Sequence, residues 1–225
     1  MGQQPVRVRA VIFDLDGVLV DSEHLWDRMR REVVAENGGE WAEGATEAMM
    51  GMSTPEWAQY LVDKLGVQLT PERTAEAVID RMAQLYTDQP PVLPHATDTV
   101  RAVAADFPTA IASSAPPRII RTFLDITELG DTVRYTVSSE EVGAGKPAPD
   151  VYQQAAHGLG IPAQECAAVE DSASGLRAAA AAETTVIAVP NPHFPPNEQA
   201  RQQAHRVLDD IGELPAALRE LTHRE

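Results

Sequence analysis

The sequence predicts an α/β fold in which a parallel sheet forms the core and an all-helical segment is inserted into it. Short apolar runs recur along the chain and alternate with helix-patterned stretches, which is typical of a parallel sheet covered by helices. Residues 22–90 break this alternation because they contain helical signals and no convincing strand. A length of 225 residues suits one substantial domain or one domain that carries a smaller insertion.

The first predicted strand lies within residues 6–20, where Val11, Ile12 and Phe13 form a continuous run of β-forming residues. An uninterrupted run of this kind is typical of a strand that is buried on both faces. Further strands are predicted at 109–113, 133–138, 167–169 and 185–189.

Three helices are predicted in the insertion. Apolar residues spaced four positions apart predict the first, and Asn37-Gly38-Gly39 ends it. The second begins at Thr54-Pro55 and the third at Thr70-Pro71, because threonine can cap a helix and proline suits the first helical position. We therefore assign residues 1–21 and 91–225 to the core and residues 22–90 to a helical cap.

The charge balance argues against nucleic acid as a partner. Asp and Glu number 34 against 18 Lys and Arg, which gives a net charge of −16. Proteins that bind phosphate backbones need clustered cations, so we expect no nucleic-acid partner. The sequence contains no apolar run long enough to span a membrane, and its first ten residues lack the apolar stretch of a secretory signal. We expect a cytoplasmic protein without a membrane partner, either a monomer or a weak dimer.

Two carboxylates mark the end of the first strand. Asp14 and Asp16 follow the apolar run and precede Gly17. Ligands bind at the carboxyl ends of strands in open α/β sheets. Two charges at ~4 Å repel by ~4 kcal/mol at an effective dielectric constant of about 20. The pair therefore needs a nearby cation, a proton or both, unless it only caps the following turn.

The segment VIFDLDGVLVDSE resembles the first motif of the haloacid dehalogenase-like hydrolase superfamily. Three further motifs of that family follow in the expected order. They are Ser113 with its neighbour Ser114 in TAIASSA, Lys146 in VGAGKPAPDVY, and the acidic pair Glu170 and Asp171 in AAVEDSASG. On its own, a serine at a strand-to-helix junction is more often a helix N-cap. One departure from the family is Glu183, which follows an alanine-rich helix where relatives commonly have glycine.

The resemblance implies a Rossmann-like parallel sheet core with an inserted all-helical cap. It also implies a Mg²⁺-dependent phosphatase that acts on a small phosphate ester through an aspartyl-phosphate intermediate. The opening DSEHLWDR is similar to the sugar-phosphate phosphatases of the family. A sugar phosphate is therefore the expected substrate.

The resemblance implies a role for each motif residue. Asp14 is the expected nucleophile, and Asp16 is the acid that protonates the leaving group and then the base for water. Crowded carboxylates have raised pKa values, which favours a protonated acid of this kind. Asp14, the main-chain carbonyl of Asp16, and Asp171 are the expected Mg²⁺ ligands, with Glu170 close by or bound through water. Lys146 restrains Asp14 and neutralises the phosphoryl group.

The remaining expected contacts are to the substrate. Ser113, Ser114 and Lys146 are expected to bind the phosphate group. His24 and Trp26 are candidate substrate contacts from the cap, although a tryptophan there is more often part of the cap core.

Three alternatives remain open at this stage. A phosphosugar mutase of the β-phosphoglucomutase type shares the cap and all four motifs, and GMSTPEW resembles that group. Such mutases have a cap arginine where this chain has Thr54 and a histidine near Trp26. A phosphonate hydrolase would need a cap lysine, but Lys64 stands beside Gly66 at a helix end. The third alternative is a binding protein that has kept the fold without catalysis.

Overall fold

The computed structural model describes residues 7–49, 52–189 and 197–222. In this part of the chain the strands are β1 (Ala10–Phe13), β2 (Thr109–Ser113), β3 (Val133–Ser138), β4 (Cys166–Glu170), β5 (Thr185–Ala188) and β6 (Arg206–Val207). They form one parallel sheet in the order β3-β2-β1-β4-β5-β6. The predicted α/β class is confirmed. The sequence does not predict β6, because two residues at the sheet edge form no apolar run.

The described residues of the predicted insertion, residues 22–90, form four helices. They are α1 (Glu23–Glu36), α2 (Ala45–Met49), α3 (Thr54–Asp63) and α4 (Pro71–Asp88). The described residues of this interval form no named strand, so the insertion is helical as predicted. The sequence misses α2, because five residues are too few to establish a helical period.

The two expected threonine caps have different outcomes. Thr70 is the N-cap of α4, and its hydroxyl accepts a hydrogen bond from the Arg73 N–H at 3.3 Å. Thr54 is instead the first residue of α3, and Ser53 occupies the N-cap. The Glu56 carboxylate accepts hydrogen bonds from both the backbone N–H and the hydroxyl of Ser53, at 2.8 and 2.6 Å. These contacts with Glu56 make Ser53 the N-cap, one residue earlier than predicted.

The sheet has helices on both faces. Those that follow the insertion are α5 (Ala96–Ala104), α6 (Pro117–Thr127), α7 (Asp150–Leu159), α8 (Ala173–Ala181), α9 (Glu198–Arg201) and α10 (Leu214–Thr222). Successive residues of a strand point to opposite faces. Val11 and Phe13 of β1 pack with the core cluster that includes α5, α6, α10 and the inserted helices, whereas Ala10 and Ile12 pack with α7 and α8. None of the described helices is both long enough and apolar enough to cross a lipid bilayer.

The two connections to the inserted helices run side by side next to the end of β1. The Asp21 N–H donates to the Pro91 carbonyl at 2.8 Å, and the Leu93 N–H donates to the Leu19 carbonyl at 3.0 Å. A further ion pair joins Arg118 of α6 to Asp80 of α4. These contacts hold the inserted helices over the carboxyl edge of the sheet. The division at residues 22 and 90 remains a prediction.

Replacing Glu183 with glycine should stabilise the protein. Glu183 follows the C-cap residue of α8 and has φ of 63°, a conformation that costs an L-residue roughly 1–2 kcal/mol and suits glycine. Since glycine also has more freedom in the unfolded chain, the expected net gain is about 0.5–1 kcal/mol. Urea unfolding should show this gain for Glu183→Gly. The matched control Glu76→Gly, in the middle of α4, should lose about 1 kcal/mol. Equal losses in both variants would contradict this explanation.

Candidate active site

The carboxyl ends of two neighbouring strands bring three acids together. Asp14 directly follows β1, and its N–H donates to the Val169 carbonyl of β4 at 3.0 Å. Glu170 ends β4 and Asp171 follows it, so the parallel pairing of β1 with β4 places all three at one edge. Their exposed fractions are only 6%, 0% and 6% for Asp14, Glu170 and Asp171.

One buried ammonium group lies among these acids. The Lys146 Nζ is 2.9 Å from Asp14 Oδ1 and 2.6 Å from Glu170 Oε1, and its side chain is 4% exposed. Three ionised carboxylates and one ammonium leave two uncompensated negative charges in a water-poor site. Charges of this kind are costly to bury unless they are paired or bind a metal. A divalent cation would balance the cluster.

Glu170 is held on both of its carboxylate oxygens. Its Oε1 accepts hydrogen bonds from Lys146 and from the Tyr152 hydroxyl, both at 2.6 Å. Its Oε2 accepts from the backbone N–H of Asp171 at 3.0 Å, and from the N–H and hydroxyl of Ser172, each at 3.2 Å. Sequence reasoning misses Tyr152 and Ser172, although both lie within the quoted motifs. Both have a structural role at the cluster because they orient Glu170.

Burial and like charge perturb the acids. Burial and the charge of Glu170 raise the pKa of Asp14 to about 8, even though Lys146 acts in the opposite direction. Burial and the charges of Glu170 and Asp14 raise the pKa of Asp171 well above its ordinary value. Burial lowers the pKa of Lys146, but the charges of Asp14 and Glu170 outweigh it and leave that pKa above its ordinary value. The cluster therefore has a shortage of positive charge.

The donor atoms fit a divalent metal ion. Asp14, Glu170 and Asp171 each offer a carboxylate oxygen, and these oxygens lie within 4.8 Å of one another. Asp14 Oδ1 is buried and has no hydrogen-bond partner, because its contact with Lys146 is not aligned as a hydrogen bond. An all-oxygen set with carboxylates is the set that Mg²⁺ prefers. These three side chains could hold such an ion.

Two glycines leave room for the cluster. Gly17 has φ of 79°, and a Cβ there would overlap the carboxylate of Asp171. A Cβ on Gly175 in α8 would overlap the carboxylate of Glu170. Both acids can occupy their positions only because these residues have no side chain.

The Asp16 side chain contacts both the start of the inserted helices and the core. Its Oδ1 accepts hydrogen bonds from the Ser22 hydroxyl and from Trp26 Nε1, the latter at 3.4 Å. Its Oδ2 accepts from the Ser113 hydroxyl, also at 3.4 Å. Ser22 is the N-cap residue of α1, but its hydroxyl binds Asp16 rather than the helix. Ligation of a metal by the Asp16 main-chain carbonyl remains a prediction.

The predicted phosphate contacts have different environments. Ser113 is buried at the end of β2, and its hydroxyl accepts from the Ala115 N–H at 3.0 Å. It is not a helix N-cap, since α6 begins at Pro117 with Pro116 at the cap. Ser114 is exposed beside it.

The two candidate contacts from the insertion also differ. Trp26 is half-buried, and its indole N–H reaches Asp16. His24 is exposed, and its Nδ1 lies 3.5 Å from Asp21 Oδ1. It lines a surface cavity of about 410 Å³ whose lining includes none of the clustered acids. The structure therefore brings Trp26 to the site and leaves His24 outside it.

The chain belongs to the haloacid dehalogenase-like hydrolase family, whose family model matches residues 8–183. The fold and the acidic strand ends agree with this class, and the resemblance seen in the sequence is confirmed. Hexitol phosphatase B of Escherichia coli K12 is 29% identical over 238 aligned positions, which cover 98% of this chain and 97% of that protein.

Solved structures agree with this assignment. CbbY from Rhodobacter sphaeroides in complex with phosphate has a TM-score of 0.80 and 26% identity, covering 92% of this chain and 96% of that one. β-Phosphoglucomutase from Clostridium difficile has a TM-score of 0.77 and covers 96% and 97% of the two chains. At 20% identity, the second likeness concerns the fold alone.

Replacing Gly175 with alanine should destabilise the protein, although alanine favours helices over glycine by about 1 kcal/mol. The added Cβ must displace the buried Glu170 carboxylate, so we expect a net loss of about 2 kcal/mol or more in the free energy of unfolding. The control Gly130→Ala adds a Cβ where nothing lies within 4 Å and should change stability by less than about 0.5 kcal/mol. A stabilised Gly175→Ala protein would refute the close packing described above.

Proposed function

We propose that this hydrolase is a Mg²⁺-dependent phosphomonoesterase that acts on a small phosphorylated metabolite, in particular a sugar phosphate, through an aspartyl-phosphate intermediate. The observation that carries the proposal is the buried contact of Lys146 with Asp14 and Glu170 beside Asp171. An ammonium among three acids at a strand end suits the binding of a phosphoryl group and a divalent cation together.

In the proposed reaction Asp14 is the nucleophile. One of its carboxylate oxygens attacks phosphorus, and the bond from phosphorus to the leaving-group oxygen breaks, which leaves an aspartyl phosphate. Lys146, 2.9 Å from Asp14 Oδ1, limits the rotation of this carboxylate and offsets charge on the phosphoryl group.

Asp16 is the proposed acid and base. Its carboxylate binds Ser22 and Trp26 on the side of the inserted helices, and Ser113 on the core side. A proton on Asp16 passes to the leaving alkoxide in the first step. The resulting carboxylate then takes a proton from the water that attacks phosphorus, so inorganic phosphate leaves and Asp14 is restored.

The proposed Mg²⁺ ligands are Asp14, Asp171 and the main-chain carbonyl of Asp16, with Glu170 close by or bound through water. When bound, the ion balances the negative charge of the acids and of the phosphate group. Ser113, with Ser114 beside it, is the proposed donor to the remaining phosphate oxygens.

The inserted helices are proposed to act as a cap, residues 22–90, over a core of residues 1–21 and 91–225. Cap closure would exclude bulk water during attack on phosphorus and leave room for one water afterwards. Two neighbouring connections, paired at Asp21–Pro91 and Leu19–Leu93, provide the pivot.

The proposed substrate class rests on the relatives. Hexitol phosphatase B is named for a phosphorylated sugar alcohol, and the CbbY structure contains phosphate. A cytoplasmic enzyme that is a monomer or a weak dimer is consistent with this role, and both properties are part of the proposal.

The Asp16→Asn variant should accumulate the phosphorylated enzyme when it is given p-nitrophenyl phosphate. Nitrophenolate leaves without an acid, so the first step proceeds, whereas the second step lacks its base and slows by about 10²–10⁴-fold. Borohydride would reduce the trapped acyl phosphate of Asp14 to homoserine, which peptide mass spectrometry detects.

The Asp14→Asn variant should yield neither product nor homoserine, and wild-type turnover should stop when a chelator removes Mg²⁺. Asp125→Asn, on the exposed side of α6, is the matched control and should behave as wild type. Full turnover by Asp14→Asn, or homoserine at another aspartate, would overturn the assignment.

A further inference from the structure

Arg30 of α1 has surroundings that the proposed reaction does not explain. Its guanidinium carbon lies 4.9 Å from the centre of the Trp57 ring and 5.6 Å from that of Trp26. Its Nε is buried and has no hydrogen-bond partner, and among the described residues no carboxylate lies within 4.0 Å of its guanidinium nitrogens. Arg30 as a whole is half-buried, but buried polar atoms normally have a hydrogen-bond partner, so its unpartnered Nε indicates a binding role.

Asp27, an acid close to Arg30 on α1, already accepts hydrogen bonds from other residues. Asp27 Oδ2 accepts a hydrogen bond from Arg31 at 2.6 Å, and its Oδ1 accepts from the Thr46 hydroxyl at 2.6 Å. Burial lowers the pKa of Arg30 to about 10 although the surrounding acids raise it, so the guanidinium is charged at neutral pH. Arg30 thus presents charged donors that this part of the protein leaves unused.

Arg30 lies on the side of α1 that leads to the proposed acid. Glu23, Trp26 and Arg30 are spaced three and four residues apart, so they share one face of the helix. The Trp26 indole N–H donates to Asp16 at 3.4 Å, and the charge of Asp16 acts on both Glu23 and Arg30. A leaving group that extends from Asp16 along this face would meet Trp26 first and Arg30 beyond it.

The charges along this face indicate which leaving group fits. Arg30 supplies one positive charge and the nearby Glu23 supplies one negative charge, so a second phosphate or a carboxylate would be repelled as well as attracted. Uncharged hydroxyl groups can accept from a guanidinium and donate to a carboxylate. The ring of the half-buried Trp26 offers apolar surface for the C–H groups of such a molecule, and the buried Trp57 ring packs beside it with its centre 6.5 Å away.

We propose that Arg30 is a specificity-determining residue that binds the hydroxyl groups of an uncharged, polyhydroxylated leaving group. This inference rests on the phosphomonoesterase function proposed above and narrows its substrate class. It also distinguishes this chain from enzymes that bind a second anionic group of their substrate.

The test measures the hydrolysis of three phosphate esters by enzymes that carry substitutions in α1. Sorbitol 6-phosphate carries hydroxyl groups, n-hexyl phosphate has the same carbon number without them, and fructose 1,6-bisphosphate carries a second anion. Arg30→Met should lower kcat/KM for sorbitol 6-phosphate by about 10–100-fold, mainly through KM, because a charged hydrogen bond is lost. The same variant should change hydrolysis of n-hexyl phosphate by less than about twofold. Arg30→Lys, which keeps the charge, should recover part of the loss.

Arg28→Met is the matched control, because Arg28 lies on α1 with a side chain that is 53% exposed. It should leave all three substrates unchanged. An equal loss for sorbitol 6-phosphate and n-hexyl phosphate in Arg30→Met would assign Arg30 a purely structural role and refute the proposal. A loss confined to the bisphosphate would also refute it, since Arg30 would then bind a second anion.

The two proposals fail in different ways. If the folded wild-type enzyme hydrolyses no phosphomonoester, the proposed function is wrong, whatever Arg30 does. Calorimetric titration of sorbitol 6-phosphate and n-hexyl phosphate into the Asp14→Asn enzyme, with and without Arg30→Met, then decides the binding role of Arg30 alone. A difference in affinity that needs both the hydroxyl groups and Arg30 supports it, and equal affinities overturn it.

Discussion

The site depends on one ammonium group that is buried between carboxylates. Lys146 contacts Asp14 from the first strand and Glu170 from the fourth, so one charge stabilises two neighbouring strand ends. Because its side chain is only 4% exposed, water contributes little to either partner. Removing the lysine would leave uncompensated buried charge, which typically costs about 3–5 kcal/mol. The arrangement of the acids therefore depends on this contact.

The rest of the fold makes space for this cluster and orients it. Glycine at 17 and 175 admits the carboxylates of Asp171 and Glu170, and Tyr152 of α7 fixes the oxygen that Lys146 shares. The alanine-rich face of the sheet packs against α7 and α8, which lets these helices approach closely. Asp16 is tied through Ser22 to the first connection of the inserted helices. A movement of those helices would therefore reach Asp16 directly.

Much of this arrangement follows from local sequence. The strands predicted at 109–113 and 133–138 coincide with β2 and β3, because both segments contain β-branched residues that favour strands. Because the strands pair in parallel, the acids at their carboxyl ends are then expected to be neighbours. The roles of Tyr152, Ser22 and Arg30 could not be predicted, since each depends on how a helix is rotated against a distant strand or helix. Glu183 shows another limit of prediction from local sequence. Its unfavourable backbone conformation is tolerated because the fold requires a turn at this position.

Thermal unfolding of Asp171→Asn with and without Mg²⁺ tests the charge deficit of the cluster most directly. Without a divalent cation the variant should be at least as stable as wild type at neutral pH, because it lacks a carboxylate whose pKa is raised by burial and by neighbouring acids in the folded state. Millimolar Mg²⁺ should raise the Tm of wild type and leave that of the variant nearly unchanged. The exposed control Asp63→Asn should respond as wild type. An equal rise in wild type and Asp171→Asn, or none in either, would contradict the account.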